Sequence, residues 1–355
     1  MKFEPSFVRD LSQEFKSVDP KIREKVARHR SLSEKKLLAL LSQPLIDIAE
    51  DECEHASESD IFNYDDIDSQ ASAIEAIKNG EVAFVVLAGD DDASGLWRMP
   101  NLGISLMGNK VFQSGFVAEG KAYEAPVWLM VSPKHLQQFI SHTRDFAMPG
   151  PKSMFTFKQF QSYRLRPDNK LDKVDNVPQL YSTGTGDLGP TLSEHDSYSL
   201  YPNVKHCVIV NCNNVLATLN PFILAKHIDS KSKVTCEVVR RKEGDKGSVP
   251  IWYNNSLQLV QQSYLIDECL KKAPFHSTNS MIVDVDVLRT DIPWTWHRVR
   301  RQSENRIIVQ YERLLQQYTE LFKTNYVLVD RDTRYFPVRT KDDLPAADRL
   351  LNGNK

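Results

Sequence analysis

From Val82 to Ala88 every position is apolar, and Gly89 follows at once. An uninterrupted run of this length is short for a buried helix and predicts a strand covered on both faces. Similar runs recur at Pro126–Val131, Ser153–Phe157, Cys207–Val210 and Val234–Val239, with helical spacing between them. Strands alternating with helices predict an α/β fold whose sheet is largely parallel and covered on both sides. Ligands in such sheets bind outside the carboxyl ends of the strands, which points to the loop at Gly89 and the segment after Val210. Ile251 to Val260 differs: Asn254 and Asn255 separate two alternating runs, the pattern of an antiparallel hairpin, so the sheet is expected to be mixed.

Ahead of this region, residues 6–43 read as two or three amphipathic helices. Phe7, Val8, Leu11 and Phe15 form one apolar stripe, and Leu37, Leu38, Leu40 and Leu41 form another. Glu50 to Asp68 is acidic and poor in apolar residues, and is expected to be a solvated linker. A helix over Ala71–Asn79, stopped by Gly80, leads into the Val82 strand. The chain thus divides into an N-terminal helical appendage with an acidic linker, residues 1–69, and a main domain, residues 70–355. Trp294 to Arg301 mixes aromatics with cations. It is expected to be a helix from Pro293 with tryptophans inward and arginines solvated, and otherwise a contact surface for an anionic or protein partner.

Composition narrows the function. At 355 residues and 41% hydrophobic content the chain can bury a sizeable core, and a net charge of −2 provides no field for nucleic acid. The first residues lack the apolar run of a signal peptide, and no apolar segment approaches the roughly 20 residues of a membrane helix. Five scattered cysteines suggest neither a disulfide framework nor a zinc site, so a reducing cytoplasm is expected, with signal-independent secretion left open. His206 beside Cys207 is read as strand packing, and no serine sits in a nucleophile elbow.

Leu87-Ala88-Gly89 has the form of a strand opening into a phosphate-cradling loop, yet Asp90-Asp91-Asp92 follow. Ordered segments accompany it: Ile74 to Ala83, Gly184-Thr185-Gly186-Asp187, Asn211 to Thr218, Gly247 to Val260, Phe275 to Ser280, Gln310-Tyr311-Glu312 and Phe336 to Thr340. Together, from about residue 70 to about 345, they resemble the UDP-sugar pyrophosphorylase family, which includes the UTP-glucose-1-phosphate and UDP-N-acetylhexosamine enzymes. The resemblance implies a nucleotidyltransferase core of GT-A type, an α/β mixed sheet with helices on both faces. Its reaction joins UTP to a sugar 1-phosphate and releases pyrophosphate. The chain ends at Lys355, shortly after the last segment, so the family's C-terminal β-helix domain is not expected.

The departures concentrate at the expected chemistry. Where the family loop continues with glycines and ends Pro-Lys, this chain has Asp90 to Gly95 and Pro100-Asn101. A carboxylate close to a phosphate costs on the order of 1 to 4 kcal/mol per pair. The resemblance places Asn213 where the family's magnesium-holding aspartate stands, Thr185 in place of a histidine and Arg339 in place of a late lysine. A neutral amide oxygen holds magnesium poorly. Arg98 and Arg339 are the remaining candidate catalytic cations. Leu87, Ala88, Gly89, Gly184, Gly186, Asp187, Asn211, Asn214 and Asn279 would frame a site for a uridine nucleotide or UDP-sugar by contacts that need no metal. Two functions follow. One is a divergent homologue with weak or no uridylyltransferase activity that binds a nucleotide sugar or a protein partner. The alternative is an active enzyme whose metal site is rebuilt from Asp90, Asp91 or Asp92, with magnesium as cofactor. No cofactor is implied otherwise.

Overall fold

The computed structural model describes residues 6–28, 30–43, 48–49, 54–89, 94–145, 154–303 and 306–353. Among these, eight strands form the central sheet: β1 (Phe62–Asn63), β2 (Val82–Ala88), β3 (Val127–Val131), β4 (Met154–Lys158), β5 (His206–Asn211), β6 (Val234–Arg240), β7 (Phe275–Asp284) and β8 (Thr324–Leu328). They lie in the order β1-β8-β6-β7-β5-β2-β3-β4. Only β7 opposes its neighbours, pairing antiparallel with both β5 and β6. The expected mixed α/β sheet is therefore present.

The continuous apolar runs are continuous because both faces are covered. All of β2 and β3 is buried. Val85, Leu87, Trp128, Met130 and Ile209 face one apolar layer, while Phe84, Val86, Leu129, Val208 and Val210 face the other. Each large apolar side chain so buried stabilises the fold by roughly 1.5–3 kcal/mol. The second layer receives Ile223 and Leu224 from a helix over Pro221–Asp229. Asn220 caps that helix, its side-chain oxygen accepting from Phe222 N and Ile223 N at 3.0 and 3.1 Å. The helix before β2 covers Ala71–Lys78 and ends at Gly80, whose φ is +70°.

At the amino-terminal end, α1 (Ser6–Lys16), α2 (Pro20–Val26) and α3 (Glu34–Leu41) realise the amphipathic stripes. Leu11, Phe15, Val26 and Leu37 pack on Tyr163, Leu165, Val309 and Tyr311 of the rest of the chain. Asp19 caps α2, and Arg23 joins α3 through a 2.8 Å ion pair to Glu34.

Three expectations need correction. The acidic stretch does more than link: its described part buries Ala56 and Ile61, pairs Glu54–His55 with Trp252 and Ile251, and adds β1 to the sheet edge beside β8. The backbone there finds partners that composition does not announce. Trp294 to Arg301 is not helical. His297–Ser303 is a strand paired antiparallel with Arg306–Glu312, and this cross-strand pairing overrides the expected helix from Pro293. The tryptophans do pack inward, where Trp294 and Trp296 lie 5.4 and 5.1 Å from the Arg313 guanidinium. Finally, Cys269 is buried and disulfide-bonded, a cross-link that an odd cysteine count does not suggest. Cys207, Cys212 and Cys236 are buried, and burial pushes the thiols of Cys207 and Cys236 up.

The Asn254-Asn255 turn joins Ser248–Tyr253 to Ser256–Gln261 as an antiparallel hairpin. Both asparagines take positive φ, 51° and 61°, the conformation a two-residue primed turn requires. Among the described residues no helix is long and apolar enough to cross a membrane.

Candidate functional site

The register of the parallel strands brings the expected loops together. Asn211 pairs with Leu87, and Ala88 with Val131, so β2, β3 and β5 end side by side. Above these ends lies a cavity of about 680 Å³, walled also by the two hairpins, which contribute Leu259, Gln261, Arg301 and Gln310.

Leu87, Gly89, Gly184, Asn211, Asn213 and Asn279 line the cavity, and Arg339 stands at its exposed rim. Ala88, Gly186, Asp187 and Asn214 are not on its wall. Arg98 is exposed and outside it, in a bridge to Ser105. Asp90, Asp91 and Asp92 lie outside the described residues.

The residues off the wall have structural partners. Asp187 is fully buried: its Oδ1 accepts from Arg313 Nε at 2.6 Å and its Oδ2 from Thr183 Oγ1 at 2.7 Å. Burial raises the Asp187 carboxyl above the usual range, and the Arg313 charge opposes that shift. Gly184, at φ +102°, lies so close to the chain that an added Cβ would stand 2.4 Å from Arg313 O. The Gly-Thr-Gly-Asp turn thus answers to close backbone packing on Arg313. Thr185 Oγ1 accepts from Leu315 N at 3.0 Å.

Asn214 ties the loop after β5 to the late segment. Its Nδ2 donates to Arg334 O at 3.1 Å and its Oδ1 accepts from Phe336 N at 3.0 Å. Beneath it, Arg334 forms a buried fork with Glu237 at 3.0 and 2.6 Å and donates to Thr218 Oγ1 at 2.5 Å. Lys110, also buried, donates to Ala217 O and Gln113 Oε1, both at 2.6 Å, and burial holds its pKa well below the ordinary lysine value. Asn213 O accepts from Val338 N at 2.8 Å, which fixes the backbone that carries its side chain to the cavity.

Sequence reasoning missed the other cations. Lys134, Arg164, Lys246 and Arg301 line the cavity with Arg339, and Glu312 is the one carboxylate among the described lining residues. Glu312 is paired with Arg301 at 2.8 Å. Gln159 was missed too: it lies across Gly89, donates from Nε2 to Gly184 O at 2.5 Å, and leaves its buried Oε1 without a partner. These residues come from strands and loops far apart in sequence, so no local motif marks them.

A family profile described as UTP--glucose-1-phosphate uridylyltransferase matches residues 39–351. The chain belongs to this family. Solved structures agree on the fold. UDP-glucose pyrophosphorylase from Leishmania major, as a mutant in complex with UDP-glucose, is similar with a TM-score of 0.73 at 16% identity, covering 97% of this chain and 79% of that one. The UDP-N-acetylglucosamine pyrophosphorylase from Trypanosoma brucei in complex with inhibitor gives a TM-score of 0.66 at 15% identity, over 99% of this chain and 85% of that one. A comparison with curated proteins finds no match.

In this uridylyltransferase-family chain, the described pocket residues do not fit a magnesium ion. Mg²⁺ takes anionic oxygens in octahedral geometry and dehydrates reluctantly. Here the wall offers the Asn213 amide and a carboxylate already joined to Arg301.

Proposed function

We propose that the cavity binds a uridine nucleotide or UDP-sugar and that the chain has weak or no uridylyltransferase activity, so that it acts by binding. One observation carries this reading. Five cationic side chains line a concave site whose only described carboxylate is paired, so the described wall favours an anion and offers no free carboxylate to hold a divalent metal against it. The unpartnered Gln159 Oε1, with Asn211 and Asn279, offers amide groups for the edge of a base or a sugar hydroxyl. The Leishmania major protein was solved with UDP-glucose, and shared family membership supports the same ligand class here. A nucleotide sugar suits the cavity better than a protein partner does, since concave sites with a few convergent polar groups take small molecules.

Transfer from UTP to a sugar 1-phosphate builds negative charge as pyrophosphate departs, and stabilising it takes preorganised positive charge held close to the reacting phosphate. The Arg339 side chain, at the exposed rim, donates from Nη1 to Gly244 O at 3.3 Å. The test is pyrophosphate release from UTP with a panel of sugar 1-phosphates, with Mg²⁺ or Mn²⁺, at high protein concentration. The reading expects no release above background. Release that requires both substrates would overturn it.

A further inference from the structure

At the end of the sheet opposite the cavity, two histidines and an aspartate converge from three elements that the sequence keeps apart. His206 opens β5, Asp284 closes β7, and the two are register partners across the antiparallel pair. His227 comes down onto them from the Pro221–Asp229 helix. His206 Nδ1 lies 2.7 Å from Asp284 Oδ1, and His227 Nε2 lies 3.1 Å from the same oxygen. Among the described residues this is the one group of three such side chains whose donor atoms all lie within 4.8 Å of one another. Five residues of strand, or ~17 Å, separate it from Asn211 at the cavity.

We propose that His206, His227 and Asp284 form a binding site for a divalent transition-metal ion of the zinc class, separate from the nucleotide cavity. Two imidazole nitrogens and one carboxylate oxygen are the borderline donor set that Zn²⁺ and Co²⁺ take, and hard Mg²⁺ does not. Tetrahedral bonds of ~2.0–2.1 Å set ligand atoms ~3.3 Å apart. From the present 2.7 and 3.1 Å contacts, His206 Nδ1 would move out from Asp284 Oδ1 by ~0.6 Å and His227 Nε2 by ~0.2 Å to reach that spacing. The rings bind once each ligating nitrogen gives up its hydrogen to the other ring nitrogen. His227 Nδ1 then donates to Thr235 Oγ1, which already stands 2.9 Å away and would fix the ring's orientation as an outer-shell partner does.

Asp284 has an oxygen to offer that its lysine does not hold. Lys233 Nζ is bonded to Oδ2 at 2.9 Å, so Oδ1 is the ligand atom. The side chains of His206 and Asp284 are each 15% exposed, while that of His227 is fully covered. Water therefore reaches the cluster from one side and can fill a fourth position. The Lys233 ammonium, also paired to Asp286 at 2.7 Å, repels the incoming ion and sets a limit on affinity.

The test titrates the full chain, stripped with chelator, with Co²⁺ followed by visible absorption, and then with Zn²⁺ in competition. The expected result is one Co²⁺ per chain, displaced by Zn²⁺. His206→Ala should weaken binding by at least ~tenfold, the lower range that loss of an outer-shell partner alone produces. Because a ligand variant can fail by misfolding, Lys233→Met supplies the opposite sign: removing the repelling charge should tighten Co²⁺ binding. A hydrogen-bonded cluster with no metal role predicts no saturable absorption change in the wild-type chain, and that result overturns the proposal. Saturable binding that His206→Ala and Lys233→Met leave unchanged also overturns it, by placing the ion elsewhere.

Discussion

Asp187 and Asn213 show how one side chain decides what the site can do. Asp187 stands in the turn that resembles the family's Gly-His-Gly-Asp, yet it faces Arg313 in the interior, and the Arg313 guanidinium lies 5.4 Å from the Phe160 ring as well as over two tryptophans. A buried carboxylate deprived of its paired cation costs about 3–5 kcal/mol, because its desolvation is no longer offset. Arg313→Met is therefore expected to lower unfolding stability by that amount in urea titrations, and Asp187→Leu added to it should restore much of the loss. A loss below about 1 kcal/mol for the single variant would deny the pair its structural role. Asn213, by contrast, is on the cavity wall, where its neutral amide leaves an anionic ligand to the cations alone. The identity of Asn213 was legible in the sequence. The cluster of five surrounding cations was not, because Lys134, Arg164, Lys246, Arg301 and Arg339 meet only when the two hairpins close over the strand ends.

Elements were legible where a local rule suffices. The apolar run of β2, the Gly80 stop and the Asn254-Asn255 turn each carry their cause in a few adjacent residues. That turn makes a test at this scale. Asn255 holds φ at +61°, where a β-branched side chain is strained. Asn255→Val is expected to cost about 1–2 kcal/mol in unfolding stability. An unchanged urea midpoint would show that the hairpin is held by its sheet partners alone. Elements were illegible where a distant strand makes the decision. Trp294 to Arg301, with its mixed aromatics and cations, reads as a helix, but pairing of His297–Ser303 with Arg306–Glu312 satisfies the backbone there and fixes it as extended. The acidic stretch before Ala71 likewise joins a sheet edge that exists only after β8 has folded.

At the scale of the molecule, alternation along one strand connects the appendage to the cavity. Val309 and Tyr311 pack with the N-terminal helices, while Ile308, Gln310 and Glu312 line the cavity. Successive side chains of a strand point to opposite faces, so the helices brace one wall of the cavity. The two ends of the central sheet also differ in chemistry. The carboxyl ends carry amides and cations, and the opposite end carries the His206, His227 and Asp284 cluster. Burial there would raise the Asp284 carboxyl, yet the two histidines and Lys233 hold it far below the usual range. The family and its fold could be read from ordered short segments, and the placement of the cavity from the rule for parallel sheets.

The proposed hold on a nucleotide sugar by the cavity's own cations needs no divalent metal. Calorimetric titration of the full chain with UDP-glucose, once in chelator and once in excess Mg²⁺, tests it most directly. Saturable binding of one equivalent is expected in chelator, unchanged by Mg²⁺ and weakened by added salt as screening reduces the attraction. Absence of binding in chelator, with binding restored by Mg²⁺, would contradict the account and return the chain to metal-dependent uridylyltransferase chemistry.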